Sequence, residues 1–238
     1  MKKRMVILLI LCLLLAACDA RQAAPESTAA SPETTEPSQP AAEATAAPVP
    51  PEEPDLLYQE VLDAYYNALE EDWGPEKYME ADMNYLPGLI RDPNVVGYYL
   101  EDLDGDGIPE LLIGAVGNNY IYAMYTMREG KPVMVIRGSE RNTYQLASDG
   151  AFYNCGANGA ASRGYNFYTF VNGQLRFQDA LLFDAAVSPE NPWFYAMDED
   201  WDVSNDLPYG TGDAEAHIQM VEESLVDIPY VAFADYKN

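Results

Sequence analysis

From Val95 to Phe183 the chain is a succession of short runs rich in Tyr, Val, Ile and Phe, each shorter than a typical helix. The runs are "VVGYYLE", "ELLIGAV", "NYIYAMYTM", "PVMVIRG", "TYQLAS", "AFYNCG", "GYNFYTFV" and "QLRFQDALLF". β-Branched and aromatic side chains fit a pleated surface, so the runs predict strands. Asp-Gly at 149–150, Asn-Gly at 172–173 and "REGK" at 128–131 predict hairpin turns between them. Strands joined this tightly pair antiparallel with their sequence neighbours. The expected fold class is therefore α+β, an antiparallel meander sheet packed with an N-terminal helix and a short C-terminal helix.

Helical spacing supplies the other elements. Over Asp55–Trp73, Leu57, Val61, Ala64 or Tyr65, Ala68 or Leu69 and Trp73 predict an amphipathic helix, with Pro54 and Asp55 as its start signal. A second short helix is predicted over Glu76–Met83. Residues 213–224 predict the C-terminal one, with Ala216, Ile218, Met220 and Val221 as a partial apolar face, and "VDIPYVAFADY" predicts a last extended segment.

One hairpin turn is crowded with charge. "EDLDGDGIPELLIG", residues 101–114, sets Asp102, Asp104 and Asp106 at alternate positions before the chain turns apolar. Calcium takes six to eight oxygens at 2.3–2.6 Å, and loop positions 1, 3 and 5 supply three carboxylates. Gly107 at position 6 permits the positive φ of a sharp turn. The Ile108 carbonyl follows at position 7, and Glu110 at position 9 closes the shell directly or through water. Without a cation, four carboxylates this close repel and raise one another's pKa. A helix–loop–helix hand needs a bidentate Glu at position 12, where this chain has Ile113. The stretch "YYLEDLDGDGIPELLIG" instead resembles the D-x-D-x-D-G-x-x-[DE] calcium loop of integrin-type FG-GAP repeats, which lies between two strands. That resemblance implies the chemistry of the loop and not a propeller, because the chain holds a single copy. The other reading of these residues is a polar turn in which Asp and Gly serve the backbone alone.

At the other end, "MKKRMVILLILCLLLAACDA" places Lys2, Lys3 and Arg4 before an apolar run too short to span a bilayer comfortably. Residues 1–17 are therefore expected to be a signal peptide. Leu15-Ala16-Ala17-Cys18 resembles the lipobox of bacterial lipoproteins. The resemblance implies cleavage before Cys18 and lipidation of its sulfur, anchoring the chain at the outer face of the plasma membrane. Residues 18–54 form a Pro/Ala/Glu-rich tether, too poor in large apolar side chains to fold. Lipobox, tether and acidic hairpin together resemble surface lipoproteins of Gram-positive anaerobes, a likeness that assigns no activity.

Residues 55–238 are long enough for one domain with a sizeable core, expected as a monomer. Against 39 acidic residues stand 13 basic ones, a formal charge of −26, which disfavours nucleic acid and favours cations. With Cys12 in the signal peptide and Cys18 lipidated, Cys155 is left alone and no intramolecular disulfide can form.

Three further constellations carry weaker chemistry. Asp198, Asp200 and Asp202, followed by Ser204 and Asp206, repeat the alternation, but Val203 stands where a turn glycine belongs, which favours a solvated acidic loop. "NCGANGAASRG", 154–164, is a Gly-rich loop that could present Ser162 and Arg163 to a ligand, or simply a hairpin loop with a semi-buried cysteine. His217 is the single histidine, and nothing local couples it to Cys155 or to a serine. The expected function is a calcium-binding lipoprotein acting as a binding or interaction module, the calcium being structural. A carbohydrate- or wall-binding module using exposed Tyr and Trp, and a hydrolase using two of the many acids, are the alternatives.

Overall fold

All eight runs are strands, each bounded within two residues of the expected span: β1 Val96–Glu101, β2 Glu110–Ala115, β3 Ile121–Arg128, β4 Lys131–Arg137, β5 Asn142–Leu146, β6 Ala151–Ala157, β7 Ser162–Val171 and β8 Gln174–Asp184. Three shorter ones join them, β9 Trp193–Ala196, β10 Leu207–Pro208 and β11 Val231–Ala232, in one large antiparallel sheet. This computed structural model describes residues 54–86, 91–157 and 159–237. The signal peptide 1–17, Cys12, Cys18 and the tether as far as residue 53 lie outside the described residues.

The order across the sheet is β10-β9-β8-β7-β6-β5-β3-β2-β1-β11, with β4 paired to β3 off this path. Two of the turns take the left-handed geometry that matches strand twist: Glu129 and Gly130 at φ 51° and 73°, Asn172 and Gly173 at φ 53° and 67°. The helices are α1 Pro54–Leu57, α2 Gln59–Glu70, α3 Pro75–Glu80 and α4 Thr211–Ser224.

β2 is buried along its whole length because both faces are covered. Successive side chains of a strand point to opposite faces. Leu111, Ile113 and Ala115 pack with Tyr58, Leu62, Tyr65 and Leu69 of the helical side, whereas Leu112 joins Ile121, Met124, Phe152 and Tyr230 on the other. Tyr65 is the hub of the first cluster. Its ring centroid lies 6.1–6.4 Å from those of Tyr78, Tyr125 and Phe233, and its hydroxyl is 3.2 Å from that of Tyr125.

Several sequence expectations are corrected. The first helix is interrupted at Tyr58; of the expected stripe Tyr65, Ala68 and Leu69 are buried and Leu57, Val61, Ala64 and Trp73 pack half-buried on the same core, while Tyr58 and Leu62, which the spacing did not single out, are fully buried. The physical reason is the tyrosine hydroxyls, which find partners inside: Tyr58 donates to the Pro109 carbonyl at 2.8 Å. Large rings with satisfied polar tips gain more from burial than the smaller Val61. In α4 the inward side chains are Ala214, Ile218 and Val221, packed against Tyr165, Leu181 and Trp193, while Ala216 and Met220 face solvent.

The Gly-rich segment is strand at both ends rather than loop, since β6 runs to Ala157 and β7 starts at Ser162. Gly156 and Gly164 are directly opposed, and a Cβ on either would lie 3.1 or 2.8 Å from the Trp201 indole that covers them. Trp201 comes from the acidic stretch 197–206. That stretch is not simply solvated: Val203 is 8% exposed and packs with Leu182 and Phe194, so a β-branched plug stands where a turn glycine would serve a metal loop.

Candidate metal centre

The β1–β2 hairpin places the acidic turn. Gly105 and Gly107 both take positive φ, 77° and 87°, and a Cβ at either position would be strained. With the chain so folded, Asp102, Asp104 and Asp106 each turn a carboxylate oxygen toward a common point, these atoms lying within 4.8 Å of one another. Among the described residues they are the one group of acids, cysteines or histidines close enough to hold a metal ion.

Backbone amides organise the three side chains. Asp102 accepts from Gly105 N–H at 2.8 Å and from Gly107 N–H at 3.0 Å. Asp104 Oδ1 accepts from Asp106 N–H at 3.3 Å, and Asp106 Oδ1 accepts from Ile108 N–H at 2.7 Å. Asp104 Oδ2 accepts from Gly173 N–H at 2.7 Å, tying the loop to the β7–β8 turn. Each carboxylate oxygen keeps a second lone-pair direction, so these bonds hold the acids in place without using up their capacity for a cation.

Glu110 stands apart from the triad. It is 1% exposed at the start of β2; its Oε2 accepts from Leu103 N–H at 3.0 Å and its Oε1 from the Thr126 hydroxyl at 2.9 Å. Its carboxyl is pushed up to about 7, first by burial, with the Leu103 and Thr126 hydrogen bonds opposing and the charges of Asp104 and Asp106 adding. Burial, followed by the charges of Glu110 and Asp106, likewise holds the Tyr58 phenol protonated well beyond its ordinary range. The Ile108 side chain is exposed, as expected of a residue that would offer only its carbonyl.

Thr126, Gly173 and Tyr58 are the participants that sequence reasoning missed. Thr126 was reachable in principle, because it lies across the β2–β3 pair from Glu110, although the register shifts between Ile113 and Gly114 and defeats simple counting. Gly173 had no local signal, being 69 residues from Asp104.

The second acidic stretch uses its aspartates differently. Asp198, Asp200 and Asp202 each accept a hydrogen bond from the backbone N–H two residues on, at 3.4, 2.7 and 3.1 Å. Burial, and then the charges of these three, push the Asp206 carboxyl up. Cys155 is half-buried among Tyr153, Tyr165 and Leu181, and that burial raises its thiol pKa, the reverse of what a nucleophile needs. His217 stacks on Phe167 at 4.8 Å between ring centroids.

Comparison with protein-family models, with curated proteins and with solved structures finds no match, so the site is read from its own geometry.

The Glu110 environment makes a pH prediction. The folded chain retains a proton that the unfolded chain releases near pH 4.5, so this group's contribution to stability is full below that value and is lost as pH rises through about 7. Glu110→Gln can accept from Leu103 and donate to the Thr126 oxygen, with no charge to bury. Measured in chelator, the melting temperature of the native sequence should fall across this window and that of the variant should fall distinctly less. Equal slopes would assign the titration to other groups.

Proposed function

We propose that the protein is a lipid-anchored, extracytoplasmic binding module, held at the outer face of the plasma membrane through Cys18 and ordered by a structural calcium ion. The observation that carries this reading is the convergence of Asp102, Asp104 and Asp106 on a turn whose two glycines are both left-handed. Three carboxylates and the Ile108 carbonyl give a hard-oxygen set suited to calcium, and Glu110, buried behind them, holds the loop through the Leu103 amide. The domain in this reading is a meander, with α2 packed near β1–β3 and α4 near β6–β9. The ion acts by locking the β1–β2 hairpin to the Asn172–Gly173 turn through Asp104.

A row of exposed aromatic rings, which a broad glycan-binding face would need, finds no support. Among the described residues the most exposed aromatic side chains are Tyr85 and Tyr120, each at 37%.

Thermal unfolding of residues 19–238 in calcium, in magnesium and in excess chelator tests the reading. Extracellular calcium modules bind at about 10⁻⁴–10⁻³ M, so about 10 mM calcium is roughly 10–100 times the dissociation constant and contributes about 1.4–2.7 kcal/mol. The expected result is a rise of several degrees in calcium alone. Superimposable curves in the three media would overturn it.

A further inference from the structure

We infer that the cleft beside Trp201 is a binding subsite for a neutral saccharide. The cleft, of about 420 Å³, is lined by Arg141, Asn142, Gly156, Ala157, Asp200 and Trp201. It lies away from the acidic turn and does not depend on calcium.

Trp201 is held there at a cost. Its φ of 61° is a conformation that a bulky residue rarely adopts, and such strain persists where the surroundings over-determine it. The surroundings do so from both sides. Before it, Glu199 accepts a hydrogen bond from the Tyr168 hydroxyl at 2.8 Å; after it, Val203 is plugged into the core between Leu182 and Phe194. Beneath it, the opposed Gly156 and Gly164 seat the outer carbons of the benzo ring, which a Cβ on either glycine would crowd at 3.1 or 2.8 Å. The ring is thereby fixed on strands β6 and β7, half-buried, with part of it forming the cleft wall.

The groups around the ring supply both kinds of hydrogen-bonding partner. Arg141 is exposed and offers guanidinium donors. Asp200 uses Oδ1 to accept from Asp202 N–H at 2.7 Å and offers its other oxygen as an acceptor. Asn142 is braced by Asn154, which donates to its Oδ1 at 2.8 Å, and Asn154 is braced in turn by Asn166. The lining holds one cation, one anion and one amide, and the neighbouring Asp198, Glu199 and Asp202 add negative charge that disfavours an anionic ligand. A sugar ring matches such a set: its C–H face packs on an indole, and its hydroxyls both donate and accept. An anionic or cationic ligand would leave Asp200 or Arg141 opposed by like charge.

The test is a titration of the full chain, followed by tryptophan emission and by calorimetry, with three soluble probes: the β-1,4-linked tetramers of N-acetylglucosamine and of glucose, and the α-1,4-linked tetramer of glucose. Saturable binding of at least one probe at about 1 mM or tighter is expected. Trp201→Ala and Arg141→Ala should each weaken it at least tenfold, and Trp201→Phe by less than Trp201→Ala. Gly164→Ala should also weaken it, because the new methyl displaces the indole without touching the polar groups. Arg141 is exposed and serves as the variant that keeps the fold, checked by an unchanged melting temperature. No saturable binding of any probe, or binding that both alanine variants leave intact, would overturn the proposal. Running the same titration in chelator separates it from the calcium reading, since binding there should persist.

Discussion

Gly114→Ala should lower the melting temperature by roughly 6–12 °C, from about 3 kcal/mol of overpacking at about 2–4 °C per kcal/mol for a domain of this size. Gly114 sits in β2 directly opposite Gly97 in β1, and the Tyr230 ring lies across the pair. A Cβ at Gly114 would stand 2.2 Å from Tyr230 Cζ and Oη and 2.3 Å from the backbone oxygen of Tyr120. Neither neighbour can yield cheaply. Tyr230 is 8% exposed, its hydroxyl donates to the Tyr120 carbonyl at 3.0 Å, and the Tyr120 oxygen belongs to the chain entering β3. The added methyl therefore prises the C-terminal segment off the sheet. Gly212→Ala is the matched control: nothing lies within 4 Å of its Cβ, and an alanine in α4 should raise stability by up to about 1 kcal/mol. Removing the ring as well, in Gly114→Ala with Tyr230→Ala, should cost less than the sum of the single changes, with relief only partial because the Tyr120 oxygen remains. A Gly114→Ala variant melting with the native protein would mean that Tyr230 does not occupy this seat.

That seat and the one under Trp201 mark the limit of what the sequence makes legible. The large antiparallel sheet was readable because its signals are local: short runs rich in aromatic and aliphatic side chains such as "NYIYAMYTM", and turn pairs such as Asn172–Gly173 whose left-handed φ only a few residues tolerate. The two glycine pairs, Gly97 with Gly114 and Gly156 with Gly164, carry no such local signal, since a glycine inside a strand run only weakens it. Their purpose appears only when a ring from the C-terminal region, Tyr230 or Trp201, arrives to fill the space. The short strand β9 escaped for a related reason. "WFYA" is brief and flanked by turn residues, and it pairs along β8 from Phe183 to Ala180 only after a loop whose length gives no register. At the candidate metal centre the same rule divides the residues. Asp102, Asp104 and Asp106 lie within five residues and their convergence follows from one turn, whereas Gly173, Thr126 and Tyr58 are brought in by the fold.

Asp104→Asn should reverse the sign of its effect between chelator and calcium. In chelator the amide oxygen can still accept from Gly173 N–H, only the long 3.3 Å bond from Asp106 N–H is given up, and one of three converging negative charges is gone, so the melting temperature should stay level or rise. In calcium the same change removes an anionic ligand from a hard cation. The stabilisation by the ion, about 2.7 kcal/mol at a hundredfold excess over the dissociation constant, should then shrink to less than about 1 kcal/mol. Asp104→Ala behaves differently, because it leaves the Gly173 amide without its carboxylate and should cost about 1 kcal/mol in either medium before the ion is considered. The two variants together separate the roles that Asp104 combines. An asparagine variant that loses stability equally with and without calcium would reduce Asp104 to the tie between the β1–β2 and β7–β8 turns. One that keeps the full calcium-induced rise would place the ion elsewhere. Reversal between the media is the outcome that only a cation held by this carboxylate produces, since repulsion among the acids and attraction to an ion act on the same charge in opposite directions.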